Sequence, residues 1–237
     1  MANYIQKFEN QSAYDAAEHQ YPNTSLVGND IVFQMTEPTP AFGGLTVKYN
    51  IDEPTQEVTL FNGGGASSSS GSGSSTSGSG GGGALPTRMI VDGNPETVVN
   101  TWRFETAGEH IVQYEFADNI IPADFLQSNR NATEAIIGDD ITEITGGSAN
   151  ADGAFQSSTI TSVTIGTGIT KIGDSAFASS YLETLTVKAD YPPTLGSNAL
   201  ADSSITAIYV PASAVDEYKT STSTGWYQYA SRIFAIQ

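Results

Sequence analysis

The feature that most constrains the fold of this chain is a regular spacing of apolar residues in its C-terminal half. Apolar residues recur at an offset of 22 positions from Val163 to Leu185, and of 23 positions from Leu185 to Ile208. The same offsets relate Ile160, Leu182 and Ile205. One unit of this length is too small to bury its own apolar face. The copies are therefore expected to stack into one continuous core.

Earlier copies can be traced back along the chain. With an insertion of about six residues in 146–152, the apolar set of one copy matches that of the next: Ile137, Ile141, Ile144 and Phe155 correspond to Ile165, Ile169, Ile172 and Phe177. A degenerate first copy is predicted from Tyr114-Glu-Phe116, Ile120-Ile121 and Phe125. A period of about 20–29 residues with one short strand per copy is the signature of leucine-rich repeats.

A low-complexity segment divides the sequence. Residues 63–84 contain only Gly, Ser, Ala and Thr. Such a segment has no apolar surface to bury, and it predicts a flexible linker with an r.m.s. reach of about 26 Å. The predicted organisation is an N-terminal module over 1–62, the linker over 63–84, a small β unit over 85–118 and a repeat domain with a C-terminal cap over 119–237.

The N-terminal module is predicted to be a small α+β unit. Ser12 and Asp15 resemble a capping box at the start of a short helix. Strands are predicted over Thr24–Val27 and Ile31–Gln34, and a hairpin is predicted from the alternating residues Leu45, Val47, Tyr49 and Ile51 with Val58 and Leu60. The aromatic residues of this module either fill a thin core or form a docking surface, and they are Tyr4, Phe8, Tyr14, Tyr21, Phe33 and Phe42. The candidate docking surface is formed by Tyr4, Phe8, Tyr14 and Tyr21.

The β unit over 85–118 is predicted from three alternating segments. Met89-Ile-Val91 runs into Asp92-Gly-Asn-Pro95, which is a strand followed by a turn composition. The segments Thr101–Phe104 and Val112–Phe116 flank Thr106-Ala-Gly-Glu109. This arrangement predicts a second hairpin.

Composition and charge exclude several function classes. The chain has 26 acidic and 9 basic residues, a net charge of −17 and no cysteine. A phosphate backbone would be repelled, so nucleic-acid binding is not expected. Disulfides and thiolate metal sites are excluded. There is neither an apolar run long enough to span a membrane nor the apolar core of a secretion signal, and the chain is expected to remain in the compartment where it is made.

Residues that could carry chemistry are few. His19 and His110 have no cysteine or second histidine near them, and no serine lies in a G-x-S-x-G elbow. Asp139-Asp140 is interpreted as a turn of the repeat, and Asn150-Ala-Asp152-Gly lacks the spacing of a calcium loop. We therefore expect no enzyme activity, no metal and no cofactor.

The C-terminal residues are predicted to close the repeat stack. Ser213, followed by Asp216 and Glu217, predicts a short helix up to Lys219. Three aromatic residues beyond it are interpreted either as a cap over the last copy or as exposed ligand-binding residues: Trp226, Tyr227 and Tyr229.

The residues over about 89–237 resemble a known family. The segment Ile165-Gly-Thr-Gly-Ile-Thr-Lys-Ile-Gly-Asp-Ser-Ala-Phe177 is similar to the repeat of BspA-like leucine-rich-repeat proteins of Bacteroidetes. Later motifs also match in order: Pro192-Pro-Thr-Leu-Gly196, Ile208-Tyr-Val-Pro211 and Tyr229-Ala-Ser-Arg-Ile233. The resemblance implies surface exposure and the binding of proteins or glycans without catalysis.

The opening segments Phe8-Glu-Asn-Gln-Ser-Ala-Tyr-Asp-Ala-Ala17 and Tyr21-Pro-Asn-Thr-Ser-Leu-Val27 resemble modules of tailed phages that infect Bacteroidetes, including the crAss-like group. This resemblance implies a virion structural protein: a head fibre, a capsid decoration or a tail-associated adhesin at the virion surface. Residues 1–62 would then bind other virion proteins, with a trimer expected by analogy with fibres, and the repeats would bind a host-surface protein, mucin or glycan. The alternative is a bacterial cell-surface adhesin.

Overall fold

The structure is a computed structural model. It describes the backbone of residues 3–6, 24–27 and 30–34, and residues 43–62, 85–148 and 152–237 with their side chains. The chain divides into two compact units, Met1–Phe42 and Gly43–Gln237. The described residues are mainly β, and none of their helices is long and apolar enough to cross a membrane.

The first unit contains a three-stranded antiparallel sheet. Strand β3 (Asp30–Gln34) lies between β1 (Asn3–Gln6) and β2 (Thr24–Val27). The two predicted strands at 24–27 and 31–34 are confirmed, and they pair as an antiparallel hairpin. The predicted helix that begins at Ser12 lies outside the described residues.

The second unit is built almost entirely from short strands. In chain order these are β4 (Leu45–Ile51), β5 (Glu57–Thr59), β6 (Arg88–Val91), β7 (Asn94–Glu96), β8 (Thr101–Arg103), β9 (Gly108–Glu115), β10 (Ile120–Ile121), β11 (Ala132–Ile137), β12 (Glu143–Ile144), β13 (Ser162–Ile165), β14 (Lys171–Ile172), β15 (Thr184–Val187), β16 (Thr194–Leu195), β17 (Ala207–Val210) and β18 (Ile233–Ala235). Helix α1 (Val215–Thr220) and a 3-10 helix (Trp226–Arg232) precede β18.

The repeat copies pair in the register that the sequence offsets predict. Val163 in β13 pairs with Leu185 in β15, and Leu185 pairs with Ile208 in β17, all in parallel. Each copy also contributes a two-residue strand to a second parallel sheet, in the order β10-β12-β14-β16. Its apolar residues lie in register as Ile121, Ile144, Ile172 and Leu195. The predicted correspondence of Ile144 with Ile172 is confirmed.

The stacked copies pack closely through their aromatic and glycine positions. The rings of Phe155 and Phe177 stack with their centroids 4.8 Å apart and their planes 12° apart. On the neighbouring turn, a Cβ added to Gly173 would lie 2.1 Å from the backbone nitrogen of Gly146. This distance is too short for any side chain, so the glycines allow the copies to approach each other.

The two predicted hairpins of the lead-in segments are wrong. Strand β4 does not pair with β5, and β8 does not pair with β9. Instead, β4 lies between β9 and β11 in a nine-stranded sheet with the order β18-β17-β15-β13-β11-β4-β9-β6-β7, and β5 pairs with β8. Leu45, Val47 and Tyr49 are fully buried on the inner side of β4. A strand with this much apolar surface is stabilised by having a partner at both edges.

The position of β4 changes the domain organisation. The sequence predicts a module boundary at the Gly/Ser segment, whereas the structure divides the chain between residues 42 and 43. Residues 62 and 85, which flank the Gly/Ser segment, both belong to the second unit. The Gly/Ser segment is therefore an insertion within one unit and does not connect two units.

Buried hydroxyl groups hold the segment that follows β4. The Tyr49 hydroxyl donates a hydrogen bond of 2.6 Å to the carbonyl of Leu60, and the Tyr114 hydroxyl lies 3.0 Å from that of Tyr49. Burial raises the pKa of Tyr114 well above its ordinary value, and it raises the pKa of Tyr49 as well. Both rings therefore remain neutral and can donate over the whole physiological range.

Asn129 connects the same segment to the repeats. The repeat positions equivalent to Asn129 are Ser158, Ser180 and Ser203, whose hydroxyls donate to a carbonyl three residues earlier. The longer Asn129 side chain instead donates to the carbonyls of Thr59 at 2.9 Å and Leu60 at 3.2 Å. Its oxygen also accepts from the backbone nitrogens of Asn131 and Ala132. Asn129 is buried, so these bonds are shielded from water.

We predict that cutting the chain within 63–84 leaves its two parts associated. Cleavage at a protease site placed in the Gly/Ser segment would leave the pairing of β4 with β9 and β11 intact, because all three strands lie outside that segment. The two fragments are expected to co-elute in size-exclusion chromatography under native conditions and to separate in urea. Native separation of the N-terminal fragment would show that the segment connects independent modules.

We predict that Asn129→Ser lowers the free energy of unfolding by about 2 kcal/mol, because serine fits the repeat turn but cannot reach Thr59 and Leu60. Urea unfolding of the full chain measures the change. The matched control is Ser203→Ala, which removes one partly exposed hydroxyl bond and should cost about 1 kcal/mol or less. Equal losses in the two variants would contradict a bridging role for Asn129.

Candidate binding surface

The nine-stranded sheet has an apolar inner face and a more polar outer face. Along β13 and β15 the buried residues alternate with partly exposed ones. Val163 and Leu185 point into the core, while Thr164 and Thr186 lie on the outer face. This alternation follows from the two-residue period of a strand.

One outer residue from each of eight neighbouring strands lies in register across the sheet. We name this set the outer row; it consists of Ile90, Gln113, Thr46, Ile136, Thr164, Thr186, Tyr209 and Phe234. Gln113 covers the nearly buried Thr46, and its amide nitrogen lies 3.4 Å from the Thr46 hydroxyl. The outer row therefore offers polar groups from Gln113, Thr164 and Thr186, with the apolar Ile136 between Gln113 and Thr164 and apolar side chains at both ends.

The charges beside the outer row compensate one another. Lys48 and Glu134 form an ion pair of 2.9 Å, and so do Arg88 and Glu115. These residues lie on the outer sides of β4, β11, β6 and β9. The four charges sum to zero, whereas the whole chain carries −17. These two ion pairs consequently add no net charge beside the outer row.

The outer row ends in two aromatic rings. The centroids of Tyr209 and Phe234 are 6.2 Å apart with an interplanar angle of 43°. Phe234 is 47% exposed, which is unusual for a phenylalanine in a strand. An exposed ring next to threonine hydroxyls can bind both the apolar and the polar side of a ligand.

The predicted cap forms, and its central residue is Trp226. Trp226 is fully buried, and its Nε1 donates a hydrogen bond of 2.7 Å to the carbonyl of Pro193. Its ring packs edge-on against Tyr218, which is buried in helix α1 and bonds the carbonyl of Ala189. The interpretation of Trp226 as an exposed ligand-binding residue is therefore wrong. The predicted helix is confirmed as α1, but Ser213 does not cap it: the N-cap is Ala214, without a side-chain bond.

The remaining aromatic candidates are dispersed. Tyr227 is 53% exposed, whereas Tyr229 is partly buried against the core, and burial raises its pKa. Tyr4 lies in β1, where its backbone pairs with that of Phe33. The other predicted docking residues lie outside the described residues: Phe8, Tyr14 and Tyr21. Within the second unit, Tyr227 and Tyr229 are not members of the outer row.

The ionisable candidates make structural contacts. His110 is buried, with its Nδ1 2.7 Å from a carboxylate oxygen of Asp92 and its Nε2 2.9 Å from the carbonyl of Thr106. Asp139 lies in a turn, as predicted, and accepts a bond of 2.8 Å from the nitrogen of Thr167. Among the described residues, no group of three or more His, Cys, Asp or Glu side chains could hold a metal ion.

A polar cleft lies on another side of the repeats. It has a volume of about 310 Å³ and is lined by Gly147, Ser148, Asp152, Gln156, Asp174 and Ser197, among others. One carboxylate oxygen of Asp174 accepts from the nitrogen of Ser197, and one of Asp152 accepts from the amide of Gln127. These carboxylates therefore stabilise the turns between copies, and the cleft offers little apolar surface for a ligand.

Sequence reasoning missed the outer row. The alternation of Ser162-Val-Thr164 and Thr184-Leu-Thr186 was a usable signal, because it places two hydroxyl side chains per copy on one face. The contributions of β4 and β9 could not be found in the same way, since the predicted hairpins gave these strands different partners, and the strand at β6 was predicted without a partner.

Comparison with known proteins supports the repeat assignment. Residues 149–223 match, with six copies, the model of a family described as BspA type Leucine rich repeat region. No curated protein matches the chain. The match confirms the resemblance over these residues, and repeats of this type suggest a surface-binding or adhesin-like protein.

Proposed function

We propose that this chain is a non-enzymatic binding protein and that the outer row is its ligand-binding surface. The observation that carries this proposal is the outer row itself, which combines aligned polar groups, an exposed aromatic end and compensated charges. The outer row offers neither the enclosed cavity nor the converging ionisable groups that an enzyme site requires.

The chemistry of the outer row fits a glycan. Threonine hydroxyls and the Gln113 amide can exchange hydrogen bonds with sugar hydroxyls, and an exposed ring can pack against the apolar face of a sugar ring. Tyr209 and Phe234 supply such rings beside Thr186. Mucin glycans or the glycans of a host-cell surface are therefore the proposed ligand class, and a host-surface protein is the alternative.

We predict that Thr186→Lys lowers the affinity for mucin at least about tenfold, because a long charged side chain would cover the middle of the outer row. Binding of the full chain to mucin on a biosensor surface measures the effect. The matched control is Thr194→Lys, which changes an exposed threonine on the four-stranded sheet and should leave binding unchanged. Equal losses in both variants, or undiminished binding by Thr186→Lys, would contradict the proposed surface.

We further propose that the chain is a structural protein of a phage virion, with the repeats displayed at the virion surface. The resemblance of the segments at 8–17 and 21–27 to phage modules supports this placement. In this proposal, attachment to other virion proteins and any trimer formation belong to residues 1–42, which form a compact unit of their own. A bacterial cell-surface adhesin with the same repeats is the second candidate.

We predict that the chain sediments with intact phage particles when lysates of producing cultures are fractionated on a density gradient. Mass spectrometry of the fractions identifies the chain and shows which N-terminal peptides it retains. Co-migration with outer membrane from uninfected cells would contradict the virion placement and favour the adhesin. The binding experiment with Thr186→Lys is independent of this outcome.

A further inference from the structure

The edge strand β18 has properties that set it apart from the rest of the surface. It is the last strand of the nine-stranded sheet and pairs in parallel with β17 on one side only. The four-stranded sheet ends differently: at β16 the backbone nitrogen of Leu195 donates to the carbonyl of Thr224, 2.9 Å away. The cap thus covers the edge of the four-stranded sheet, whereas no described strand pairs with the outer edge of β18.

The opposite edge of the nine-stranded sheet is protected against pairing. Strand β7 has Pro95 at its centre, and all three of its residues are exposed. Proline has no N–H to donate, so it blocks the addition of a further strand. Strand β18 contains neither a proline nor a charged residue.

Two exposed apolar side chains flank the edge of β18. Phe234 is 47% exposed and Ile236 is 38% exposed, and they lie two residues apart, so they point to the same face. The intervening Ala235 is less exposed, and Ile233 is buried on the inner side. The edge therefore combines free backbone groups with an apolar pair, which is typical of a strand that accepts a partner.

Charge determines which partner can approach. All 26 acidic residues lie at or before Glu217, and the 20 residues that follow it contain two of the nine basic residues and no acidic one. Two copies of this chain repel each other over most of their surfaces. The residues from Tyr218 to Gln237 add two positive charges and no negative one, and the acidic residues nearest to them in sequence are Asp216 and Glu217 in helix α1, which contacts β18.

We propose that β18 pairs in antiparallel fashion with β18 of a second copy of this chain. The Ile236 nitrogen donates to the carbonyl of Val210 at 2.8 Å, so Ile236 and Phe234 direct their backbone groups towards β17. The N–H and C=O of Ala235 then face the open edge. A two-fold axis beside Ala235 lets the two copies of this residue exchange both hydrogen bonds.

This register is self-complementary. With the axis beside Ala235, Phe234 of one copy lies opposite Ile236 of the other, and such directly opposed residues have Cα atoms about 4.5–5.5 Å apart. The two exposed apolar residues thereby cover each other twice. Because the axis is perpendicular to the sheet, both outer faces point in the same direction.

Sedimentation velocity of the full chain without ligand tests the proposal. The interface is small, so the mean mass is expected to rise towards twice that of the monomer between about 10 and 500 µM. Phe234→Lys should abolish this rise, and Ala235→Pro should do the same by removing the outward N–H. Tyr227→Ser, which changes another exposed aromatic residue near the cap, is the matched control and should leave the rise unchanged.

A charge swap tests the register itself. The double variant Phe234→Lys with Ile236→Glu places opposite charges against each other at both symmetric positions, so it should restore the rise that Phe234→Lys loses. Circular dichroism and thermal unfolding verify that each variant is folded. The proposal is overturned if the wild type shows no rise, or if neither Phe234→Lys nor Ala235→Pro reduces it. Failure of the double variant to restore the rise overturns the register. Because the sedimentation experiment contains no ligand, a failure of the proposed mucin binding would not affect its result.

Discussion

The antiparallel pairing of β4 with β11 is the interaction on which the rest of the second unit depends. The parallel repeat strands leave an edge at β11 that β4 covers, and the inner residues Ala135 and Ile137 of β11 are buried opposite Val47 and Leu45 of β4. The other edge of β4 pairs with β9, so the lead-in strands and the repeats share one sheet. Leu60, whose carbonyl accepts from both Tyr49 and Asn129, then fixes the chain after β4 against the first turn of the repeats.

The sequence predicts the repeats well because, in a parallel stack, the offset between equivalent residues is also the pairing register. Val163, Leu185 and Ile208 could be aligned on that basis alone. The partners of β4 could not be predicted, since alternation shows which face of a strand is buried and not which strand lies at its edge. The 22 Gly/Ser-rich residues at 63–84 then favoured a boundary where the fold has an insertion. The outer row depends on the β4 register and was missed for the same reason.

Departures from the repeat mark the places where other structure attaches. Serine occupies one turn position in three copies, and Asn129 occupies the equivalent position in the copy beside β5. The asparagine amide supplies the donors that bind the carbonyls of Thr59 and Leu60, and its oxygen accepts from the nitrogens of Asn131 and Ala132. In the sequence alone, Asn129 at the position equivalent to Ser158 indicated that something other than a further copy contacts this turn. It could not identify β5 as that partner.

The two proposed contacts share Phe234, which ends the outer row and flanks the open edge of β18. A second copy joined at Ala235 would extend the outer row across the two-fold axis, with the aromatic residues of both copies in the middle. Each copy would keep its own threonine positions, so the chemistry of the surface would not change. The gain would come from two sites held at a high effective concentration, which strengthens a weak interaction with a repetitive ligand such as a glycan chain. A largely acidic protein can obtain this gain only where its charges are compensated or absent, and the surface beside the outer row and the residues after Glu217 meet that condition.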